Sequence, residues 1–284
     1  MNSRTPHPPE RVIRPARGLV PIDFAELWRY RELFLFLSWR DILIRYKQTA
    51  LGIAWAVLQP LLNTFVFVLV FDKLGNFDSK GAPYAVMALA GLIPWQFFAN
   101  ALGESSNSLV ASSNMVTKIY FPRLIIPASA VLSGVVDFLV SLMILAVTML
   151  WFGLPFRWSL LGLPLFLLIA FSAAFAAGVW LSALNVNYRD VKYVVPFFTR
   201  MGIYLSPVGY LSTLILDKFG HGIHFLYCLN PMVGVIDGFR WCILGDAFQP
   251  NWQGLAASGI ATMLLLVTGM FYFRSTEKTF ADVI

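Results

Sequence analysis

A chain of 284 residues that is 58% hydrophobic and 13% charged, with mean hydropathy +0.70, excludes an ordinary soluble domain, where charged residues average about 25%. The net charge of +6 comes without a basic stripe interleaved with aromatics outside the apolar runs, so it points to membrane topology and not to a nucleic-acid partner. Two cysteines, Cys228 and Cys242, are too few for a disulfide framework and lie at no metal-ligand spacing, which leaves them as small apolar residues.

Residues 1–23 carry prolines and arginines with few large apolar side chains and predict a disordered tail; no secretory signal precedes the first apolar run. Residues 24–48 predict an amphipathic helix lying in the membrane interface. Trp28, Leu35, Trp39, Ile42, Leu43 and Tyr46 form its apolar stripe, and Arg29, Glu32, Arg40, Arg45 and Lys47 its polar side. Six apolar runs follow, at about 51–71, 84–103, 124–151, 160–184, 193–214 and 252–273. Each is long enough to cross a hydrocarbon core of ~30 Å as a helix. Between 103 and 124 the chain is polar and rich in serine and asparagine. In the fourth run, Ser172 to Gly178 supplies small residues at four-residue spacing, which permit close helix contact. Residues 215–251 are too apolar for an exposed loop, yet Pro231, Asp237 and Arg240 interrupt them too often for a spanning helix. Two half-helices that dip into the membrane and return fit this stretch, because irregular backbone at depth is tolerated where protein buries it. A partly buried interfacial helix is the alternative. Residues 274–284 form a polar tail. The expected fold is an all-α polytopic membrane protein: an interfacial helix, then a permease-like body at 49–273 with six transmembrane helices and a re-entrant helical hairpin between the fifth and sixth.

With both termini inside, fifteen Lys and Arg residues fall in inner segments and five in outer ones, with Arg200 inside a run, which sets the orientation. Asp137 and Arg200 are the charges deep in the runs, and buried charges pair. Their depths differ by roughly 10 Å at 1.5 Å per residue, near the limit of an arginine's reach.

The first run is not uniformly apolar. Gly52, Trp55, Gln59 and Asn63 share one helical face. Amides at that depth need partners, so the face looks at protein or water. It reads either as an interhelical amide clasp or as a pathway wall for something hydroxylated, such as sugar. No GxSxG, HExxH or GxxxxGK[ST] pattern occurs, and His221 and His224 have no carboxylate or cysteine at ligand spacing, so neither a catalytic nor a metal site is expected. Asp137 is the sole carboxylate deep in the six runs, which disfavours ion coupling and favours a separate ATPase as the energy source.

Arg40-Asp41-Ile42-Leu43-Ile44-Arg45-Tyr46-Lys47 leads into Leu51-Gly52-Ile53-Ala54-Trp55 and Gln59-Pro60. Gly91-Leu92-Ile93-Pro94-Trp95 follows, then Asn185-Val186-Asn187-Tyr188-Arg189-Asp190-Val191-Lys192-Tyr193 before Pro196, then Ser206-Pro207-Val208 and Leu229-Asn230-Pro231-Met232. As an ordered set over about residues 24–275, these resemble the type-2 ABC permeases that export polysaccharides (O antigen, capsule, teichoic acid), and most of all the membrane subunits of O-antigen exporters. The resemblance implies a homodimer in the bacterial inner membrane with both termini cytoplasmic. It implies two copies of a cytoplasmic ATPase that carry the ATP and Mg, no cofactor on this chain, and cargo linked to undecaprenyl diphosphate. Within that frame Arg45 and Lys47 would meet the diphosphate through charge-assisted hydrogen bonds, or would anchor to anionic lipid. Trp55, Gln59, Asn63, Trp95, Phe97 and Phe98 would line the glycan path, with helix packing as the alternative. Glu104, Lys118, Tyr120 and Arg123 would contact the ATPase. Arg189, Asp190 and Lys192 would form a second contact or a gate, or a local ion pair, and Pro231, Asp237 and Arg240 would belong to the re-entrant segment. The rival readings are a type-2 permease for a drug or lipid and, from another class, a membrane-embedded glycosyl or acyl transferase.

Overall fold

The second apolar run, not the first, forms the middle of the molecule. The computed structural model describes residues 24–47 and 52–283; the tail expected at 1–23 and the 48–51 junction lie outside the described residues. Every regular element among the described residues is helical: α1 (Phe24–Arg29), α2 (Arg31–Lys47), α3 (Gly52–Phe67), α4 (Tyr84–Ala111), α5 (Ser113–Lys118), α6 (Ile125–Trp151), α7 (Leu163–Asn187), α8 (Val191–Leu205), α9 (Thr213–Cys228), α10 (Pro231–Leu244), α11 (Trp252–Thr276) and α12 (Phe280–Val283). Residues 86–95 of α4 are buried without interruption, with α6, α7, α10, α3 and α8 packed around the helix. Small residues such as Ala88, Ala90 and Gly91 let neighbours approach this axis closely.

Among the described residues, five helices are long and apolar enough to cross a membrane: Ala54–Leu74, Tyr84–Ala111, Ile125–Trp151, Trp158–Asn187 and Trp252–Thr279. The first is the least enclosed, 17% buried against 72% for the second. Beyond Phe67 the helix α3 loosens into a wide turn over Val68–Leu74, closed by the Gly75 amide on the Val70 carbonyl at 2.9 Å.

The run expected to span at 193–214 is not a single helix. α8 stops at Leu205 after 15 residues, about 22 Å at 1.5 Å per residue. The chain then breaks over 206–212, where Pro207 can donate no backbone hydrogen bond. It resumes as α9, itself bent at Gly220, where φ is +77°. α10 follows after Leu229-Asn230. The Asn230 side chain accepts from the Met232 amide at 3.1 Å, and Pro231 occupies the start of the helix, where its missing N–H costs nothing. The segment 191–244 is thus three successive helices.

Three other boundaries differ from expectation. The polar stretch after residue 103 continues as helix to Ala111, because its serines bond back into their own helix: Ser106 Oγ to the Gly103 carbonyl at 2.9 Å and Ser108 Oγ to the Ser105 carbonyl at 2.7 Å. The interfacial helix is broken at Tyr30. Its expected stripe leaves Trp28, Leu35, Trp39 and Leu43 exposed, while Leu37, outside that stripe, is buried with α2 packed on α6. The polar tail returns to the core at one point: α11 runs to Thr276, and a turn at Glu277–Thr279 leads into α12, where Phe280 is fully buried.

Gly178 shows what the small residues of α7 do. A Cβ there would stand 2.4 Å from Ser105 Oγ on α4, closer than such atoms approach. Gly178→Leu is expected to abolish the monodisperse peak in size-exclusion chromatography, whereas Ser172→Leu, on an open part of the same helix, keeps it.

Candidate functional site

A groove of about 450 Å³ opens between α2, α3, α4 and α6. From α3 come Trp55, Gln59 and Pro60, from α4 Ile93, Gln96, Phe97, Asn100 and Glu104, from α6 Gly134, Asp137, Phe138 and Ser141, and from α2 Arg45 and Tyr46. Helical periodicity brings these together. Trp55 and Gln59 are four residues apart, and Gln96, Asn100 and Glu104 repeat at the same interval. Two polar faces therefore oppose one another across the groove. Phe97 and Phe138 close its floor edge to face, centroids 5.6 Å apart.

The groove's electrostatics centre on Arg45. Its guanidinium donates from Nη1 to Asp137 Oδ2 at 2.5 Å and from Nη2 to Glu104 Oε1 at 3.2 Å. The neighbouring Tyr46 hydroxyl donates to the other oxygen of Asp137. Burial pushes the Tyr46 hydroxyl well above the ordinary phenol range, and its bond to Asp137 adds to the shift, so it stays a donor. Two carboxylates thus share one guanidinium at the mouth of the groove. Asp137, expected opposite Arg200, takes Arg45 instead, and Arg200 is exposed on α8. Depth along two separate helices did not indicate that the C-terminal end of α2 lies beside the middle of α6. Gln96 keeps a buried amide nitrogen with no hydrogen-bond partner among the described residues. Sugar-like surfaces offer what such a lining binds, CH faces for rings and hydroxyls for amides and carboxylates.

The other predicted site residues are distributed elsewhere. Asn63 is partly buried one turn beyond Gln59 and does not line the groove. Trp95 is buried against α8, where a Cβ at Gly202 would fall 2.5 Å from its ring, and Phe98 tilts onto it with centroids 5.7 Å apart. Lys47, Lys118 and Tyr120 are exposed. Arg189 and Asp190 are exposed, and the Lys192 ammonium sits 4.8 Å from the centre of the Tyr193 ring. Lys192 and Glu104 also line a second cleft, of about 570 Å³, between α4 and α8. Arg123 is tied to Glu277.

Arg240 is 1% exposed and donates to the carbonyls of Val208 at 2.8 Å, Tyr210 at 2.7 Å and Met87 at 3.4 Å. Two of these carbonyls belong to the break at 206–212, so this cation satisfies backbone that no helix does. The Val208 carbonyl can lie there because Gly91 leaves room: a Cβ at Gly91 would be 3.0 Å from it. Asp237, one turn before, accepts from Ser212 Oγ at 2.5 Å, and Pro231 opens the same helix.

Tyr46, Gln96, Asn100 and Asp137 escaped the sequence-based site. The four-residue spacing of Gln96, Asn100 and Glu104 was the available signal, since it mirrors the polar face of the first run.

Comparison with known proteins places the fold in context. The ABC-2 type transporter family matches residues 32–244. The O-antigen export system permease protein RfbA of Myxococcus xanthus is 27% identical over 259 residues, covering 91% of this chain and 98% of that protein. RfbA of Klebsiella pneumoniae is 26% identical over 89% of this chain and 95% of its own length. The polysialic acid transport protein KpsM of Escherichia coli is 24% identical over 86% and 92%. With three quarters of its length matched and its apolar helices in place, this multi-pass membrane protein belongs to the ABC-2 type transporter family, as the non-catalytic permease of systems whose ATPase is a separate subunit.

Proposed function

We propose that this permease exports a polysaccharide linked to undecaprenyl diphosphate across the bacterial inner membrane, as a homodimer driven by two copies of a cytoplasmic ATPase. The observation that carries this reading is the groove, where an indole, amides and carboxylates from α2, α3, α4 and α6 face one space. A purely apolar cargo would leave amide groups such as that of Gln96 desolvated and unpaired, at about 1–3 kcal/mol each. A glycan sliding through offers each of them a hydroxyl. The names of the relatives, an O-antigen export permease and a polysialic acid transport protein, support the same cargo class.

In this scheme both termini and residues 112–124 are cytoplasmic, α1 and α2 lie in the inner interface with Trp28 and Trp39 turned to lipid, and α8–α10 supply the last crossing and the re-entrant element. Lys47, exposed at the end of α2, gives the diphosphate its first cationic contact, and Arg45 engages it once a carboxylate yields. Trp55, Gln59 and Phe97 act on the sugars. Lys118 and Tyr120 meet the ATPase, and Lys192 edges the second cleft on the same side.

Deleting the gene is expected to lower surface glycan at least tenfold and to accumulate undecaprenyl-linked glycan in the cytoplasm, measured by lipid extraction and mass spectrometry. Normal surface glycan in that strain would overturn the cargo assignment. In the intact exporter, Trp55→Ala with Gln59→Ala is expected to slow glycan efflux about tenfold while the ATPase still binds.

A further inference from the structure

We infer that Glu277 is a positioning residue for the ATPase, bracing the turn that carries the docking side chains. The inference rests on the proposal that Lys118 and Tyr120 meet the ATPase. Those residues sit on a segment that cannot hold itself. α5 has six residues, too few for a self-supporting helix, and Ile119 and Tyr120 beyond it are 61% and 82% exposed. The chain is fixed just after them, at Arg123. The Arg123 amide donates to Glu277 Oε1 at 3.3 Å, and the Arg123 guanidinium donates to the Glu277 carbonyl. The second carboxylate oxygen of Glu277 accepts from Arg274 Nη1 at 2.9 Å.

One residue thus accepts at three oxygens and draws two arginines together. Both members of the Arg274–Glu277 pair are largely enclosed, 19% and 18% exposed, so their attraction is less screened than at an open surface. Aromatic packing holds the brace from beneath. Phe280 meets Phe273 edge to face at 5.3 Å, and the Arg123 guanidinium lies 5.9 Å from the centre of the Phe280 ring. Val116 and Phe121 enter the same buried cluster as Phe273 and Phe280, together with Leu109 of α4 and Val179 and Val186 of α7. The C-terminal turn therefore links the exposed Ile119-Tyr120 step to two long helices. Removing the carboxylate takes the acceptor from the Arg123 amide and the partner from Arg274, and frees the step to sample orientations that the ATPase would have to select against.

The test uses the full-length permease in lipid nanodiscs with its own ATPase, and compares Glu277→Ala, Glu277→Gln, Glu277→Asp and Tyr120→Ala. The readouts are the Kd for the ATPase, the rotational mobility of a spin label at residue 119, and the melting midpoint of the permease alone. Glu277→Ala and Glu277→Gln are expected to weaken ATPase binding about tenfold and to raise label mobility, Glu277→Asp to stay within about threefold of the parent, and Tyr120→Ala to abolish binding. Where Glu277→Ala lowers the midpoint by more than about 5 °C, Glu277→Gln decides alone, because it keeps the size of the side chain and loses the ion pair with Arg274 that holds the acceptor oriented toward the Arg123 amide. Parent-like binding and mobility in Glu277→Gln, with Tyr120→Ala defective, overturns the brace and leaves the docking assignment standing. Parent-like binding in Tyr120→Ala overturns the docking assignment itself.

Discussion

Arg240→Met is expected to destabilise the folded chain by on the order of 3–5 kcal/mol, the range seen when one partner of a buried polar cluster is removed. The size follows from what is left behind. The carbonyls of Val208 and Met87 lose their donor in a buried region and that of Tyr210 in a partly buried one, and each orphaned buried acceptor costs about 1–3 kcal/mol. Asp237, on the same helical face, loses the cation one turn away. For a chain of this length the midpoint should fall by about 6–20 °C in detergent, at roughly 2–4 °C per kcal/mol. Arg240→Lys tests the geometry separately from the charge: a single ammonium cannot span three carbonyls as a planar fork does, and an intermediate midpoint is expected. An unchanged midpoint in Arg240→Met would show that the break at 206–212 is held by something else.

Reversing Arg45 or Asp137 alone is expected to cut export at least tenfold, and exchanging the two charges to recover half or more of the parental rate. Arg45→Glu gathers three carboxylates around one groove, and Asp137→Arg sets two guanidiniums against Glu104 alone. A hydrogen bond to a charged group contributes roughly 1.5–3 kcal/mol. Both side chains here are 28% exposed, so the lower end applies. The exchange keeps the ion pair but forfeits the Tyr46 hydrogen bond, which is why recovery should be incomplete. A double variant no more active than either single reversal would count against the ion pair, and a loss near the product of the two single losses would mean that the residues act independently. The measurement is glycan reaching the cell surface, normalised to permease present in the membrane.

The parts of this molecule that were legible in its sequence are those decided locally. Run length and hydropathy placed apolar runs at about 51–71, 84–103, 124–151, 160–184 and 252–273, each of which overlaps a long helix of the structure, and four-residue spacing put Trp55 and Gln59 on one side of the first. What was not legible depends on partners distant in the chain. The run at 193–214 has the composition of a spanning helix, yet it breaks where Arg240, some thirty residues later, can take up the released carbonyls. Asp137 was visible as a charge that needs a partner. Its partner was invisible because α2 and α6 are separated by three helices in sequence and meet only in the fold. The tail beyond residue 273 reads as polar from its composition. Phe280 alone marks its return to the core, and a lone phenylalanine is too weak a signal to predict burial.

The uneven enclosure of the first two apolar helices has a bearing on how sequence change will be tolerated. Along 84–111, where most side chains are surrounded, drift in side-chain volume should remove the protein from the membrane before any effect on traffic can be seen. Along 54–74, where few are, the same degree of drift should leave abundance intact and alter only throughput. Variation among natural versions of this chain that carry different cargo is therefore expected to accumulate on the outermost apolar helix and to spare the innermost.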